Sequence, residues 1–144
     1  MEKDKFWEYF DDESREYVQT IMDAEKDYYD KAEKFITPIL KENDSVLDIG
    51  NGGIINYDYS FLKELICADL SVSNKIKEVY KNVPNISFIE SNIMDMSNIN
   101  SERFNAVIIQ KVIHHLAEVD YKTTKRNCIK AIHECLRVLH RGGY

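Results

Sequence analysis

Four short apolar runs in the last hundred residues constrain the fold more than any other feature. They are SVLDI (45–49), LICAD (65–69), ISFIE (86–90) and AVIIQ (106–110), and polar or glycine-containing sequence bounds each of them. Such runs are typical of strands buried on both faces of a parallel sheet. A helical pattern at 73–81 separates the second and third runs, and another at about 122–139 follows the fourth. Strands that alternate with helices predict an α/β fold with right-handed crossovers.

The N-terminal part of the chain differs from this pattern. Ser14 is a candidate helix cap, and apolar residues then recur at helical spacing as far as Thr37-Pro38, where proline ends or kinks a helix. We therefore expect residues 1–42 to form an N-terminal helical cap of one long or two shorter helices, before a domain at 43–144. In the last helix, we expect an inward-facing stripe of Ile129, Ile132, Leu136 and Leu139.

Charge and composition exclude several classes of protein. The chain has 144 residues, with 19 Lys and Arg against 25 Asp and Glu, a net charge of -6 that disfavours nucleic acid as a partner. The short basic stretch 122–126 is more simply a solvated helix start. No apolar run exceeds four residues, so no membrane span is expected. Three unpaired cysteines and the absence of metal-ligand spacing favour a cytoplasmic protein without a metal.

A glycine-rich turn follows the first apolar run. Residues 46–53 read VLDIGNGG, and glycine in such a turn lets a ligand approach the backbone closely. Asp69 closes the second run, 21 positions after Asp48. An acid at that point can accept hydrogen bonds from ribose hydroxyls. The two features together indicate a site for a nucleoside-containing cofactor.

The details of the turn favour a cationic cofactor. Ile55 stands where a dinucleotide-binding fingerprint needs its third glycine, which counts against a nicotinamide-dependent oxidoreductase. Asp48 directly precedes the glycines, where a negative charge is unfavourable beside phosphates but favourable beside a cation. A sulfonium cofactor that also carries an ammonium group fits both observations.

The stretch VLDIGNGG (46–53) resembles the first motif of the class I S-adenosylmethionine-dependent methyltransferases. Four further stretches match that family in order: ICADLS (66–71), FIESNIMDM (88–96), FNAVIIQKVIHHL (104–116) and LRVLHRGG (136–143). The resemblance implies a Rossmann-like sheet with parallel strands in the order 3-2-1-4, flanking helices and S-adenosyl-L-methionine as cofactor. The pattern stops where the family has a fifth strand. We therefore expect a fragment, a truncated product, or a homo-oligomer in which another copy completes the sheet edge.

The resemblance also implies roles for individual residues. Asp48, Gly50, Asn51 and Gly52 would line the methionine part of the cofactor, Asp69 would hold the ribose, Leu70 would lie against the adenine, Asn92 and Ile93 would read the adenine edge, and the Gln110 carbonyl would approach the amino group. Asn51 stands where the family commonly has cysteine, and Asn92 where it often has aspartate.

The expected reaction is in-line methyl transfer to a small-molecule acceptor. His114 and His115 follow the fourth strand, where a neutral imidazole could take a proton from the acceptor. One alternative stays open for them: one histidine packs under the loop and the other is solvated. The whole chain also has an alternative, as a non-catalytic remnant or partner subunit that binds the cofactor without turnover.

Overall fold

The computed structural model describes residues 12–144, and its elements follow the sequence pattern closely. The helices are α1 (Asp12–Ala24), α2 (Lys26–Ile36), α3 (Asn74–Val79) and α4 (Tyr121–Val138), and a short 3-10 helix spans Ile113–Leu116. The strands are β1 (Ser45–Ile49), β2 (Glu64–Asp69), β3 (Ile86–Glu90) and β4 (Ala106–Ile109). All four predicted strands are present, with ends displaced by at most one residue.

The strands form one sheet in the order β3-β2-β1-β4, and every neighbouring pair is parallel. This confirms the predicted Rossmann-like order. Because β1 lies between β2 and β4, the chain leaves β1 in one direction along the sheet and later returns on its other side. The carboxyl ends of β1 and β4 therefore meet at the topological switch point, where ligands of such sheets bind.

Two apolar clusters cover the two faces of the sheet. One face packs Val46, Leu65 and Ala106 against residues of α1 and α3 such as Val18 and Val79. The other face buries Leu47, Ile49 and Ile66 beneath α4 and the segment that follows β3. All five residues of β1 are buried, as expected for a central strand with cover on both faces.

The N-terminal segment forms two helices rather than one. The chain is already helical at Asp12, so Ser14 lies buried inside α1 and the predicted cap at Ser14 is wrong. Helix α2 ends at Ile36, just before Thr37-Pro38, as predicted. Residues 1–11 of the predicted cap lie outside the described residues, and the division of the chain at 42/43 stays a prediction.

The inward face of α4 differs from the predicted one. Ala131, Cys135 and Val138 are buried, whereas Ile129, Ile132 and Leu136 are 43%, 49% and 62% exposed. The buried residues recur at helical spacing and are small, so the helix axis can approach the sheet closely. The larger apolar side chains lie on the adjacent flank of the helix.

The last residue of the chain pairs with the outer edge of β4. The Val107 amide donates to the Tyr144 carbonyl at 2.9 Å, and the Tyr144 amide donates to the Asn105 carbonyl at 3.0 Å. Tyr144 thus lies beside β4 in the way a neighbouring strand does. Among the described residues, no helix has the length and apolar character needed to cross a bilayer.

Candidate functional site at the carboxyl ends of the strands

The turn after β1 needs glycine for steric as well as conformational reasons. Gly50 and Gly53 have φ angles of +73° and +82°, in the left-handed region that favours glycine. A Cβ at Gly50 would lie 2.1 Å from Val112, and one at Gly53 would lie 2.4 Å from Ile76 of α3. The two glycines therefore let the segment after β4 and helix α3 pack directly on the turn.

Asn51 holds the turn together through its side chain. Its amide nitrogen donates to Asp48 Oδ2 at 3.0 Å and to Cys67 Sγ at 3.3 Å, and its Oδ1 accepts from the Gly53 amide at 2.8 Å. An asparagine can make these contacts because it carries both donors and an acceptor. Asn51 was predicted to line the cofactor, and this function of its side chain was not predicted.

Asp48 is fully buried at the end of β1. Its Oδ2 accepts from the Tyr57 hydroxyl at 2.6 Å as well as from Asn51, whereas Oδ1 has no partner among the described residues. Burial raises the pKa of this carboxyl from 3.8 to about 6, and the two hydrogen bonds oppose that rise. A buried carboxylate oxygen without a partner is unfavourable unless a ligand or water supplies a donor.

Asp69 points at the glycine turn. Its Oδ2 accepts from the Gly52 amide at 3.3 Å, and its Oδ1 accepts from the Leu70 amide at 2.7 Å. The carboxylate is half-buried, and the neighbouring Leu70 side chain is 73% exposed. Each carboxylate oxygen can accept more than one hydrogen bond, so Asp69 retains acceptor capacity for hydroxyl groups. The turn and the acid predicted to act together are therefore in contact.

A small cavity opens beside this contact. It has a volume of about 160 Å³. Its lining comes from the turn, from the ends of β2 and β3, and from the start of α3: Asn51, Gly52, Gly53, Cys67, Asp69, Ser71, Val72, Ser73, Ile76 and Phe88. Small-molecule sites commonly measure about 300–1,000 Å³. A whole cofactor would therefore extend beyond this cavity.

The residues after β3 form a tight turn at the same end of the sheet. Asn92 is exposed, and its Oδ1 accepts from the Met94 amide at 2.9 Å. Ile93 is buried in the cluster beneath α4. The structure thus brings Asn92 to the carboxyl-end surface but places the Ile93 side chain in the core.

Gln110 connects the end of β4 to α2. Its Oε1 accepts from the Tyr28 hydroxyl at 3.2 Å, and its Nε2 donates to Asn56 Oδ1 at 3.2 Å. Asn56 is buried and donates to the Tyr29 carbonyl at 3.1 Å. Asn56 and Tyr57 were not among the predicted site residues, although polar residues inside the segment 54–59, which has no helical pattern, are a detectable signal.

His114 and His115 lie on the 3-10 helix that follows β4. Both are exposed, and their ring centroids are 3.9 Å apart with planes inclined at 41°. The alternative in which one of them packs under the loop is therefore wrong. Their solvent access is compatible with proton exchange, and the catalytic role stays a prediction.

The residues at this edge fit an adenosyl cofactor with a charged amino-acid end. Asp69 offers acceptors beside the turn, and the exposed Gly52 has no atom within 4 Å of the point where a Cβ would stand. Asp48 adds a buried oxygen without a partner among residues 12–144. These features define a Rossmann-like α/β domain with candidate ligand-binding groups at the switch point of its sheet.

Comparison with known proteins identifies the family. A family model described as a methyltransferase domain matches residues 47–144, and the chain belongs to that family. S-adenosylmethionine is the cofactor that this membership implies, which confirms the resemblance found in the sequence. A search of the curated proteins gives no significant match.

Solved structures share the fold. A protein from Pyrococcus horikoshii OT3 is 22% identical with a TM-score of 0.65, over 96% of this chain and 58% of its own. A TehB-like SAM-dependent methyltransferase from Corynebacterium glutamicum is 15% identical with a TM-score of 0.59, over 91% and 69%.

A phosphoethanolamine N-methyltransferase from Haemonchus contortus, in complex with phosphoethanolamine and S-adenosylhomocysteine, is 17% identical with a TM-score of 0.59, over 88% of this chain and 30% of its own. At such identities the likeness shows the fold alone. The chain spans 58% and 30% of the Pyrococcus and Haemonchus proteins, less than two thirds of each.

Proposed function

We propose that this chain is an S-adenosylmethionine-dependent methyltransferase that acts on a small-molecule acceptor. The observation that carries the proposal is the hydrogen bond from the Gly52 amide to Asp69 Oδ2, because it joins the glycine turn and the ribose acid in one place. Family membership supports the same reaction class.

The proposed binding roles are those that the family resemblance implies, and the geometry at the strand ends supports those of Asp69 and Asp48. Asp69 would accept hydrogen bonds from the ribose hydroxyls, and the exposed Leu70 side chain would cover one face of the adenine. The backbone of Gly50, Asn51 and Gly52 would line the methionine part. Asp48 would interact with its ammonium group, because its buried carboxylate lacks a partner for Oδ1 among the described residues.

The remaining residues would complete the contacts with the cofactor, align the acceptor and remove its proton. Asn92 and the Ile93 backbone would contact the adenine edge, and the Gln110 carbonyl would accept from the ammonium group. When bound, the cofactor supplies a methyl group made electrophilic by a sulfonium. The chain's own residues then align the acceptor and exclude water, and His115 or His114 takes a proton from an acceptor that must lose one.

Calorimetric titration with S-adenosylhomocysteine tests the proposal. We expect wild type to bind, and Asp69→Asn to weaken the affinity at least tenfold, since a carboxylate that accepts from two hydroxyls is lost. Glu64→Gln is the matched control, because Glu64 lies at the opposite end of the same strand and pairs with Arg103. Equal affinities for wild type and Asp69→Asn would contradict the assignment of the ribose acid.

Methyl transfer to a panel of small acceptors then separates an enzyme from a binding subunit. We expect product from wild type. Cofactor binding without any product across the panel would favour the non-catalytic alternative.

Substitution of the histidines tests their proposed role. If His115 is the general base, His115→Gln should lower kcat by about 10²–10⁴ while S-adenosylhomocysteine binds as in wild type. His114→Gln tests the second candidate, and His133→Gln, which removes an exposed imidazole from α4, is the matched control. Unchanged kcat in both His115→Gln and His114→Gln would show that neither histidine is catalytic.

Partners and location are part of the same proposal. The net charge of -6 favours a small acceptor over nucleic acid, and the three free cysteines fit a reducing cytoplasm. A second copy would complete the sheet along the part of the outer edge of β4 that lies beyond the two hydrogen bonds of Tyr144.

A further inference from the structure

Two tyrosine rings and a glutamate hold a lysine ammonium at the carboxyl-end surface. Lys111 Nζ lies 4.2 Å from the centroid of the Tyr28 ring and 5.3 Å from that of Tyr29, and it forms an ion pair with Glu25. The two rings meet edge to face, with centroids 5.3 Å apart and planes inclined at 75°. Aromatic faces in this arrangement attract cations and are the means by which proteins recognise quaternary ammonium groups.

Lys111 reaches this position from a strained backbone. It is the second residue after β4, and its φ of +56° lies in the left-handed region, which is unfavourable for a non-glycine residue. Its contacts with the two rings and with Glu25 offset that cost. Lys111 is exposed whereas Tyr28 and Tyr29 are half-buried, so the lysine is an occupant of the site and the two tyrosines are its frame.

The frame itself is fixed by hydrogen bonds to the sheet. Gln110 accepts from the Tyr28 hydroxyl, and the buried Asn56 donates to the Tyr29 carbonyl. Gln110 directly follows β4, so its hydrogen bond with Tyr28 places the rings at the carboxyl edge of the sheet, where the proposed cofactor site also lies.

The surroundings favour a positively charged ligand. Tyr28 and Lys111 also line a cavity of about 500 Å³ with residues 23–27. Three carboxylates, Asp23, Glu25 and Asp27, lie among those lining residues, against Lys26 and Lys111. Lys26 pairs with Asp30 at 2.8 Å, so removal of Lys111 would leave an excess of negative charge around the rings.

We propose that Tyr28, Tyr29 and Glu25 form a cation-binding subsite for an acceptor that carries an amine or quaternary ammonium group, and that the Lys111 ammonium occupies this subsite until the acceptor displaces it. That the ligand is a methyl acceptor rests on the proposed methyltransferase function. That the subsite binds a cation rests on the contacts of Tyr28, Tyr29 and Glu25 with Lys111.

The test uses choline and its neutral isostere 3,3-dimethylbutan-1-ol as probes, with affinities measured by ligand-observed NMR on the full chain without cofactor. Lys111→Met removes the ammonium and keeps the apolar stem, and we expect choline to bind it at least tenfold more tightly than wild type. We expect the neutral isostere to bind this variant at least tenfold more weakly than choline. Lys26→Met is the matched control, since it removes the same charge from the same cavity, and its choline affinity should stay within twofold of wild type.

A second substitution identifies the rings. In the Lys111→Met background, Tyr28→Leu should weaken choline binding at least tenfold, whereas Tyr28→Phe, which keeps the ring, should stay within about threefold.

Two outcomes would overturn the subsite: Lys111→Met binds choline no more tightly than wild type does, or it binds the neutral isostere as tightly as choline. Separate titration with S-adenosylhomocysteine distinguishes the two proposals: cofactor binding with no choline effect overturns only the subsite, and a choline effect without cofactor binding supports the subsite and overturns only the methyltransferase assignment.

Discussion

A carboxylate with no exposed surface, Asp48, couples the stability of this protein to pH. The unfolded chain releases the Asp48 proton near the ordinary pKa of 3.8, whereas burial makes the folded chain hold it up to about 6. The stabilisation that comes from the protonated form is therefore complete below about pH 4, is lost as pH rises through about 6, and amounts to about 3 kcal/mol.

Asp48→Asn stays neutral at every pH and should escape this loss. We expect its free energy of unfolding to increase, relative to that of wild type, by about 3 kcal/mol between pH 4 and pH 7.5 in urea denaturation. The exposed Asp95→Asn serves as a control for the removal of one negative charge. Stability curves for Asp48→Asn and wild type that stay parallel over this range would contradict the burial argument.

Some positions of single residues were predictable from the sequence, and others were not. Asp69 was predicted beside the glycine turn because parallel strands bring their carboxyl ends to one edge, and the Gly52 contact confirms that placement. The Asn51 and Tyr57 contacts with Asp48 were not predictable, because they depend on the path of an irregular segment that no periodicity describes.

Alanine substitution at two adjacent glycines distinguishes the cost of backbone strain in the turn from the cost of a steric clash with α3. Gly52 and Gly53 both have positive φ, +60° and +82°, but only a Cβ at Gly53 would meet Ile76. We expect Gly52→Ala to cost about 1 kcal/mol of stability and Gly53→Ala about 1–3 kcal/mol more, measured by urea unfolding without cofactor. Equal costs would show that α3 does not pack on the turn as described.

The strands were predicted correctly because the apolar pattern of each allowed one interpretation. The buried face of α4 was predicted wrongly because its apolar pattern allowed two. The strands are continuous apolar runs that alternate with helices, so their bounds and parallel direction followed from the pattern, whereas the order 3-2-1-4 came from the family resemblance. Helix α4 carries two apolar stripes, and periodicity alone favoured the larger residues such as Ile132 and Leu136. Packing against a flat sheet selected the smaller stripe of Ala131, Cys135 and Val138 instead.

At the scale of the whole molecule, Tyr144 ties the end of the chain to the loop that precedes β1. Its backbone pairs with β4, its hydroxyl donates to Asp44, and its ring lies 5.2 Å from the Lys41 ammonium. We expect Tyr144→Phe to lower the free energy of unfolding by about 1 kcal/mol, for one hydrogen bond, and Tyr144→Ala by about 2–3 kcal/mol, as ring packing is lost too. Thermal unfolding of both variants measures this, and identical losses would show that the ring contributes nothing.

We propose that the turn after β1 and the acid at the end of β2 hold one adenosyl ligand between them. A crystal structure of the chain with S-adenosylhomocysteine would show whether they do. We predict both ribose hydroxyls within hydrogen-bond distance of the Asp69 carboxylate and the amino-acid end of the ligand against Gly50–Gly52. A ligand bound elsewhere on the molecule, or an Asp69 carboxylate that makes no contact with it, would contradict the claim.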